Sequence, residues 1–198
     1  MRKCAILFSL ILILPGCFGD DEEQVSFNGE TPDEGVATYK FVLEDAEGPL
    51  WSLEEQEGKV VILAFIFTRC DNTCPVTNYN VKMVKEAFTE DELSKMSFVS
   101  VTVDWRHDSP SVLKNYTEEY GFDWPHLTGA KEYLDPVYQN YRAVPYESPD
   151  DSEEGYTVGH PSPTYIMDTN GKARVVWTDY DFPVDLFIED VRTVLEHY

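Results

Sequence analysis

The chain has 198 residues, enough for one domain with a sizeable core and too few for two of ordinary size. Its 15 basic residues against 37 acidic ones leave a formal net charge of −22, which argues against nucleic acid, whose phosphates reward Lys and Arg, and against adhesion to an anionic membrane by charge alone. Aromatic residues make up 14% of the chain and its apolar stretches are strongly patterned, so an intrinsically disordered protein is excluded as well.

The N-terminus accounts for two of the four cysteines. In "MRKCAILFSLILILPGC", Arg2 and Lys3 precede an apolar run from Ala5 to Leu14. A run of about ten residues has the length of a signal-peptide core and is too short to span a bilayer as a helix. "LPGC" resembles a lipobox, so residues 1–16 are expected to be removed, Cys4 with them, leaving Cys17 to carry a lipid. The other reading is an uncleaved signal anchor; either way the domain is expected outside the cytoplasm, tethered to a membrane. Residues 17–35 continue as an acidic, glycine-bearing stretch that reads as a self-repelling tether, and the folded domain is expected over 36–198.

From residue 36 the elements follow one another closely. "VATYKFVLED" (36–45) reads as a strand and "GPLWSL" as the turn back, a hairpin extension of the main domain. "KVVILAFIF" (59–67) is a continuous apolar run, the pattern of a central strand covered on both faces. Residues 75–88 predict a helix with Val76, Tyr79, Met83, Val84, Ala87 and Phe88 on one face and Pro75 in its first turn. A strand at 97–104 follows, then a helix begun by Ser109 and Pro110 and running to about Tyr120. Tyr133, Leu134, Val137, Tyr138 and Tyr141 predict a buried stripe on a helix near 130–142. Residues 144–163 read as one long acidic loop, strands at 164–168 and 173–178 flank the turn "TNGK", and a final helix spans about 183–197. Two β–α–β crossovers followed by a hairpin and helix predict an α/β domain of thioredoxin-like fold, a central mixed sheet flanked by helices.

In such a sheet, ligands bind outside the carboxyl ends of the parallel strands. Cys70 and Cys74 in "FTRCDNTCP" lie directly after one such strand and open a helix, Asp104 ends the next strand, and His160 precedes a strand expected to run antiparallel to both. Four distant side chains are therefore expected to converge at one rim. Three readings of the thiol pair compete. A structural disulfide across so small a loop would contribute only about 2 kcal/mol, against nearly 5 for a hundred-residue loop, and this domain hardly needs it. Thiol–disulfide exchange, with Cys70 attacking and Cys74 resolving, is favoured by the helix N-terminus but loosened by three intervening residues where such catalysts usually have two. A metal is the third: two thiolates and an imidazole suit Cu(I) and can hold Cu(II), whereas a closed zinc site would need a fourth ligand. Asp104 reads equally as a turn-capping acid or as a group supporting a site. His107 and His126 read as structural or surface residues, His197 as part of a frayed end, and Met83 and Met167 as core. A peroxidase of peroxiredoxin type is a weaker reading still, for want of its Thr–x–x–Cys context.

"FTRCDNTCP", "VTVDWRHDSP" and "VGHPSPTYIMDTNG", in that order and spacing, resemble the Sco/SenC family over roughly residues 36–198. The resemblance implies a membrane-tethered thioredoxin-fold metallochaperone that helps assemble the copper centre of cytochrome c oxidase. It places copper ligands on Cys70, Cys74 and His160 and an assisting acid on Asp104, and implies as partners the copper-bearing oxidase subunit and other copper chaperones or thiol reductants. Reduction of a partner's disulfide is the alternative activity. Loop 144–160 is expected to order when His160 engages copper. This chain departs from the family at Gly159, where relatives often carry an acid, and at the prolines flanking Ser162. Many members use a transmembrane helix where a lipid anchor is expected here.

Overall fold

The structure is a computed structural model that describes residues 25–32, 39–69, 74–149 and 155–198, without the side chains of Cys74 and Pro75. Strand β1 (Val42–Asp45) turns back into β2 (Leu50–Ser52), and β3 (Val60–Ile66) follows. Helix α1 (Cys74–Glu86) and the short α2 (Glu90–Leu93) lead to β4 (Met96–Thr102). Helix α3 (Pro110–Tyr120), strand β5 (His126–Thr128) and helix α4 (Lys131–Asn140) come next. Strands β6 (Tyr146–Pro149) and β7 (Tyr156–Gly159) form a separate ribbon. Strands β8 (Thr164–Met167) and β9 (Ala173–Trp177) and helix α5 (Val184–His197) complete the chain.

The main sheet has the order β2-β1-β5-β4-β3-β8-β9. Strands β3, β4 and β5 are parallel, with β1 and β8 antiparallel on their two flanks. Every residue of β3 is buried, as a central strand covered on both faces requires. Its alternation divides the core: Val61, Leu63 and Phe65 pack with Leu134, Val137 and Tyr138 of α4, while Val60, Ile62 and Ala64 pack with Val81 and Val84 of α1 and Phe187 and Val191 of α5. The architecture is the α/β sheet between helices that the sequence predicts.

Local signals explain several boundaries. Ser109 caps α3 by accepting from the Val112 amide, Pro110 follows it, and Gly121 ends the helix in the left-handed conformation at φ 65°. Thr89 and Glu92 close a capping box on α2, a helix absent from the sequence reading.

One stretch carries no assignment from sequence, and three expectations are corrected. The "WPHLTG" stretch contributes β5, whose pairing with β4 and β1 supplies the backbone partners its sequence does not advertise. The long loop holds the β6–β7 ribbon, with Tyr146 opposite Gly159. On α1 the buried face carries Thr77, Asn78, Val81 and Val84, while Tyr79 and Met83 are exposed; just past the helix Ala87 is exposed and Phe88 buried, Met167 is buried as expected, and Tyr133 of α4 is exposed. The polar residues are tolerated inside because each is bonded: Thr77 donates to the Tyr180 carbonyl and Asn78 to the Tyr116 hydroxyl.

The third concerns the stretch read as tether, which is docked to the domain at its far end. The amides of Asn28 and Gly29 donate to the buried carboxylate of Asp190 at 2.7 and 2.9 Å. Glu30 exchanges backbone hydrogen bonds with Val176, covering the β9 edge, and Phe27 packs against the core. Among the described residues no helix is long and apolar enough to cross a membrane. Residues 1–16, with Cys4, and Cys17 lie outside the described residues.

Candidate metal centre

The carboxyl ends of β3 and β4 form the rim where chemistry is expected. At the end of β3 the chain is held by Asp108, which is fully buried. Its carboxylate accepts from the Thr68 amide at 3.0 Å, from the Thr68 hydroxyl at 2.5 Å and from the Thr102 hydroxyl at 2.5 Å. The Val103 amide donates to the Ile66 carbonyl, tying the two strand ends directly. This anchors the backbone immediately before the thiol segment.

Arg69 comes next, and its guanidinium reaches Asp104 at the end of β4. Nη2 and Nε donate to Oδ2 at 2.7 and 3.1 Å. Asp104 is buried, with a side chain only 2% exposed, so this charge has its partner. The second carboxylate oxygen accepts from the Tyr156 hydroxyl at 2.8 Å. Burial first, and then this bond to a carboxylate, push the Tyr156 phenol up to about 12, so it stays a donor at any physiological pH.

His160 follows β7 directly and is half-buried. Its ring packs edge-on against Phe67 with centroids 5.7 Å apart. Its Nδ1 lies 2.6 Å from the Pro161 carbonyl oxygen. A carbonyl only accepts, so Nδ1 carries the proton and the lone pair of the neutral ring falls on Nε2. That tautomer fits a soft cation: a backbone carbonyl orients the imidazole and leaves the other nitrogen as the donor.

The rim therefore unites three of the elements the sequence brings forward: the strand end running into Cys70, Asp104, and His160. The backbone of Cys74 begins α1. Cys70 lies outside the described residues, as does the Cys74 side chain. The donor set of two sulfurs and one imidazole nitrogen fits copper by its chemistry. At the start of β8 the hydroxyl of Thr164, wholly buried, has no hydrogen-bond partner among the described residues. Thr164 stands opposite Ala64 and shares the sheet face covered by α1.

At Gly159 the backbone is in close contact with Tyr146, since a Cβ there would meet the Tyr146 ring at 2.2 Å. A side chain at this position has no room while Tyr146 keeps its place. His107 and His126 are structural, as expected. His107 Nδ1 is 3.0 Å from Asp108 Oδ1, and although Asp104, His107 and Asp108 approach one another within 4.8 Å, both carboxylates are already engaged by the donors described above. His126 is completely buried, and burial lowers its imidazole to about 4.

Sequence reasoning missed Arg69 and Tyr156. Their signals are present in retrospect: an arginine directly before Cys70 in a chain poor in cations, and a tyrosine four residues before His160.

Comparisons with known proteins fit this geometry. The SCO1/SenC family model matches residues 29–196. An SCO2-like protein of Rickettsia felis is 28% identical over 133 residues, covering 67% of this chain and 64% of its own length, so the match spans just under two thirds of that relative. Among solved structures, apo Sco1 of Thermus thermophilus aligns with a TM-score of 0.73 at 23% identity, covering 86% of this chain and 98% of that one. Bradyrhizobium japonicum ScoI with copper bound aligns with a TM-score of 0.71 at 23% identity, covering 80% of this chain and 99% of that one. At these identities the structural likeness establishes the thioredoxin-like fold.

Proposed function

The chain belongs to the SCO1/SenC family, and from that premise we propose that it is a copper metallochaperone for a respiratory cytochrome c oxidase. Copper is its cargo, held by the thiolates of Cys70 and Cys74 and by Nε2 of His160. Asp104 supports the site from behind. In this reading Cys17 carries a lipid that keeps the domain at the extracytoplasmic face of the cell membrane. The copper-bearing oxidase subunit receives the metal, and other copper chaperones or thiol reductants act upstream.

One observation carries the copper assignment: the His160 ring rests on Phe67, the residue that leaves β3 toward Cys70. Three peptide units separate Phe67 from Cys70, a span of at most about 11 Å, so the imidazole and the thiol segment share one rim. The tautomer set by the Pro161 carbonyl supplies the nitrogen lone pair that a cation needs.

The test is titration of the reduced protein with Cu(I), and with Cu(II) while following the thiolate-to-copper absorption. One equivalent taken up by the native chain, and none held tightly by Cys70→Ser or Cys74→Ser, is the expected outcome. A reduced native protein that takes up no copper overturns the assignment.

A second reading, thiol–disulfide exchange with a partner protein, draws on the position of Cys74 at the first turn of a 13-residue helix. His160→Ala separates the two. Copper affinity falls steeply without the imidazole, leaving a weaker site on the two sulfurs, whereas exchange by Cys70 and Cys74 proceeds undiminished.

A further inference from the structure

The β6–β7 ribbon is not part of the main sheet, and all four residues of β6 are exposed. Yet β7 delivers His160, whose placement must be defined if it is to meet two sulfurs on another segment. The ribbon's bonds to the rim concentrate on Tyr156. Its hydroxyl donates to Asp104 Oδ1 at 2.8 Å, and its carbonyl accepts from Arg69 Nη1 at 3.3 Å. The Arg69 guanidinium also lies over the Tyr156 ring, 4.5 Å from its centroid. Arg106 stacks on the same ring from the end of β4 and pairs with Glu147 of β6 at 2.9 Å.

Asp104 is thus the shared acceptor of two segments. Arg69 is the residue preceding Cys70, and Tyr156 opens the strand that His160 follows. We infer that Tyr156 and Arg69, joined through Asp104, are positioning residues that fix the separation between the imidazole and the thiol segment before copper arrives. The inference rests on the copper reading above. Its physical basis is pre-organisation: a donor already held in place loses less conformational freedom on binding than one carried by a loose ribbon. Val158 packs in the core and Phe67 touches the imidazole, but neither contact is directional. The fastening bonds set the register of β7 against the rim.

The experiment is a double-mutant cycle on Cu(I) affinity, measured by competition with a chromophoric chelator. Tyr156→Phe keeps the ring beneath Arg69 and removes only the hydroxyl that donates to a buried carboxylate. It is expected to weaken Cu(I) binding about tenfold, the scale of a hydrogen bond to a charged group. In the His160→Ala background the same change should alter affinity by less than about twofold, since a residue acting through His160 has nothing left to position. Amide hydrogen exchange of the metal-free protein supplies a readout independent of copper: residues 156–160 should exchange faster in Tyr156→Phe while β3 and β4 keep their protection. Unchanged affinity in Tyr156→Phe, or an equal loss in both backgrounds, overturns the inference while leaving the copper reading standing. A native protein that binds no copper overturns both.

Discussion

Acidification should weaken this domain through one buried ring. His126 has no exposed surface and sits among Tyr116, Phe122 and Trp124. Its Nδ1 donates to the Trp124 carbonyl at 2.9 Å, and its Nε2 faces the Asn78 amide nitrogen at 3.5 Å. Protonation would bury a cation and set an N–H against another donor. Burial accordingly takes the imidazole from its ordinary 6.5 down to about 4 in the folded protein. A depressed histidine contributes its full stability above pH 6.5, where folded and unfolded rings are both neutral, and loses it as pH falls toward 4. At pH 5 the unfolded ring is mostly protonated and the folded one is not, a difference of about 2 kcal/mol. The other titrating groups are removed by comparison with His126→Gln, measured in urea at a series of pH values. The stability difference between native and variant should shrink by about 2 kcal/mol between pH 7.5 and pH 5. A difference that stays constant across that interval would refute the claim that the buried ring stays neutral.

Three further perturbations test the parts that hold the rim and the N-terminal segment. Asp108→Ala removes the acceptor of the Thr68 amide and of two hydroxyls, and thermal melting should report a loss of about 3 kcal/mol. Asp190→Ala strips the partner from the Asn28 and Gly29 amides and from Trp177 Nε1, so denaturation should show a cost of about 2 kcal/mol, and limited proteolysis should cut residues 25–32 where the native chain is protected. Gly159→Ala drives a Cβ into the Tyr146 ring, but that side chain is 65% exposed and can swing away. The expected stability change is under about 1 kcal/mol, with faster amide exchange confined to β6 and β7.

Where the sequence was legible, one physical term dominated. Strand β3 needed only its unbroken apolar run, and α3 only its serine cap, first-turn proline and terminal glycine. The misassigned face of α1 shows the opposite case. Hydrophobic periodicity places Tyr79 and Met83 inward, but tertiary hydrogen bonds permit Thr77 and Asn78 to be buried in their stead. Strand β5 is three residues long and owes its existence to neighbours on both sides, which no local pattern records. Strand β6 is wholly exposed and β7 buries only Val158, so the ribbon's pairing rests on backbone bonds and on an aromatic ring lying over Gly159. At the rim, Asp104 and His160 were found from their positions at strand ends. Arg69 and Tyr156 were not, because their roles consist of reaching one carboxylate from two segments 87 residues apart.

The account depends on one imidazole completing a site begun by two thiolates. X-ray absorption on the copper-loaded reduced protein reads that coordination shell directly. Two sulfurs and one nitrogen in the native chain, with the nitrogen contribution lost in His160→Ala, is the predicted result. A shell identical in the native and His160→Ala proteins would contradict it.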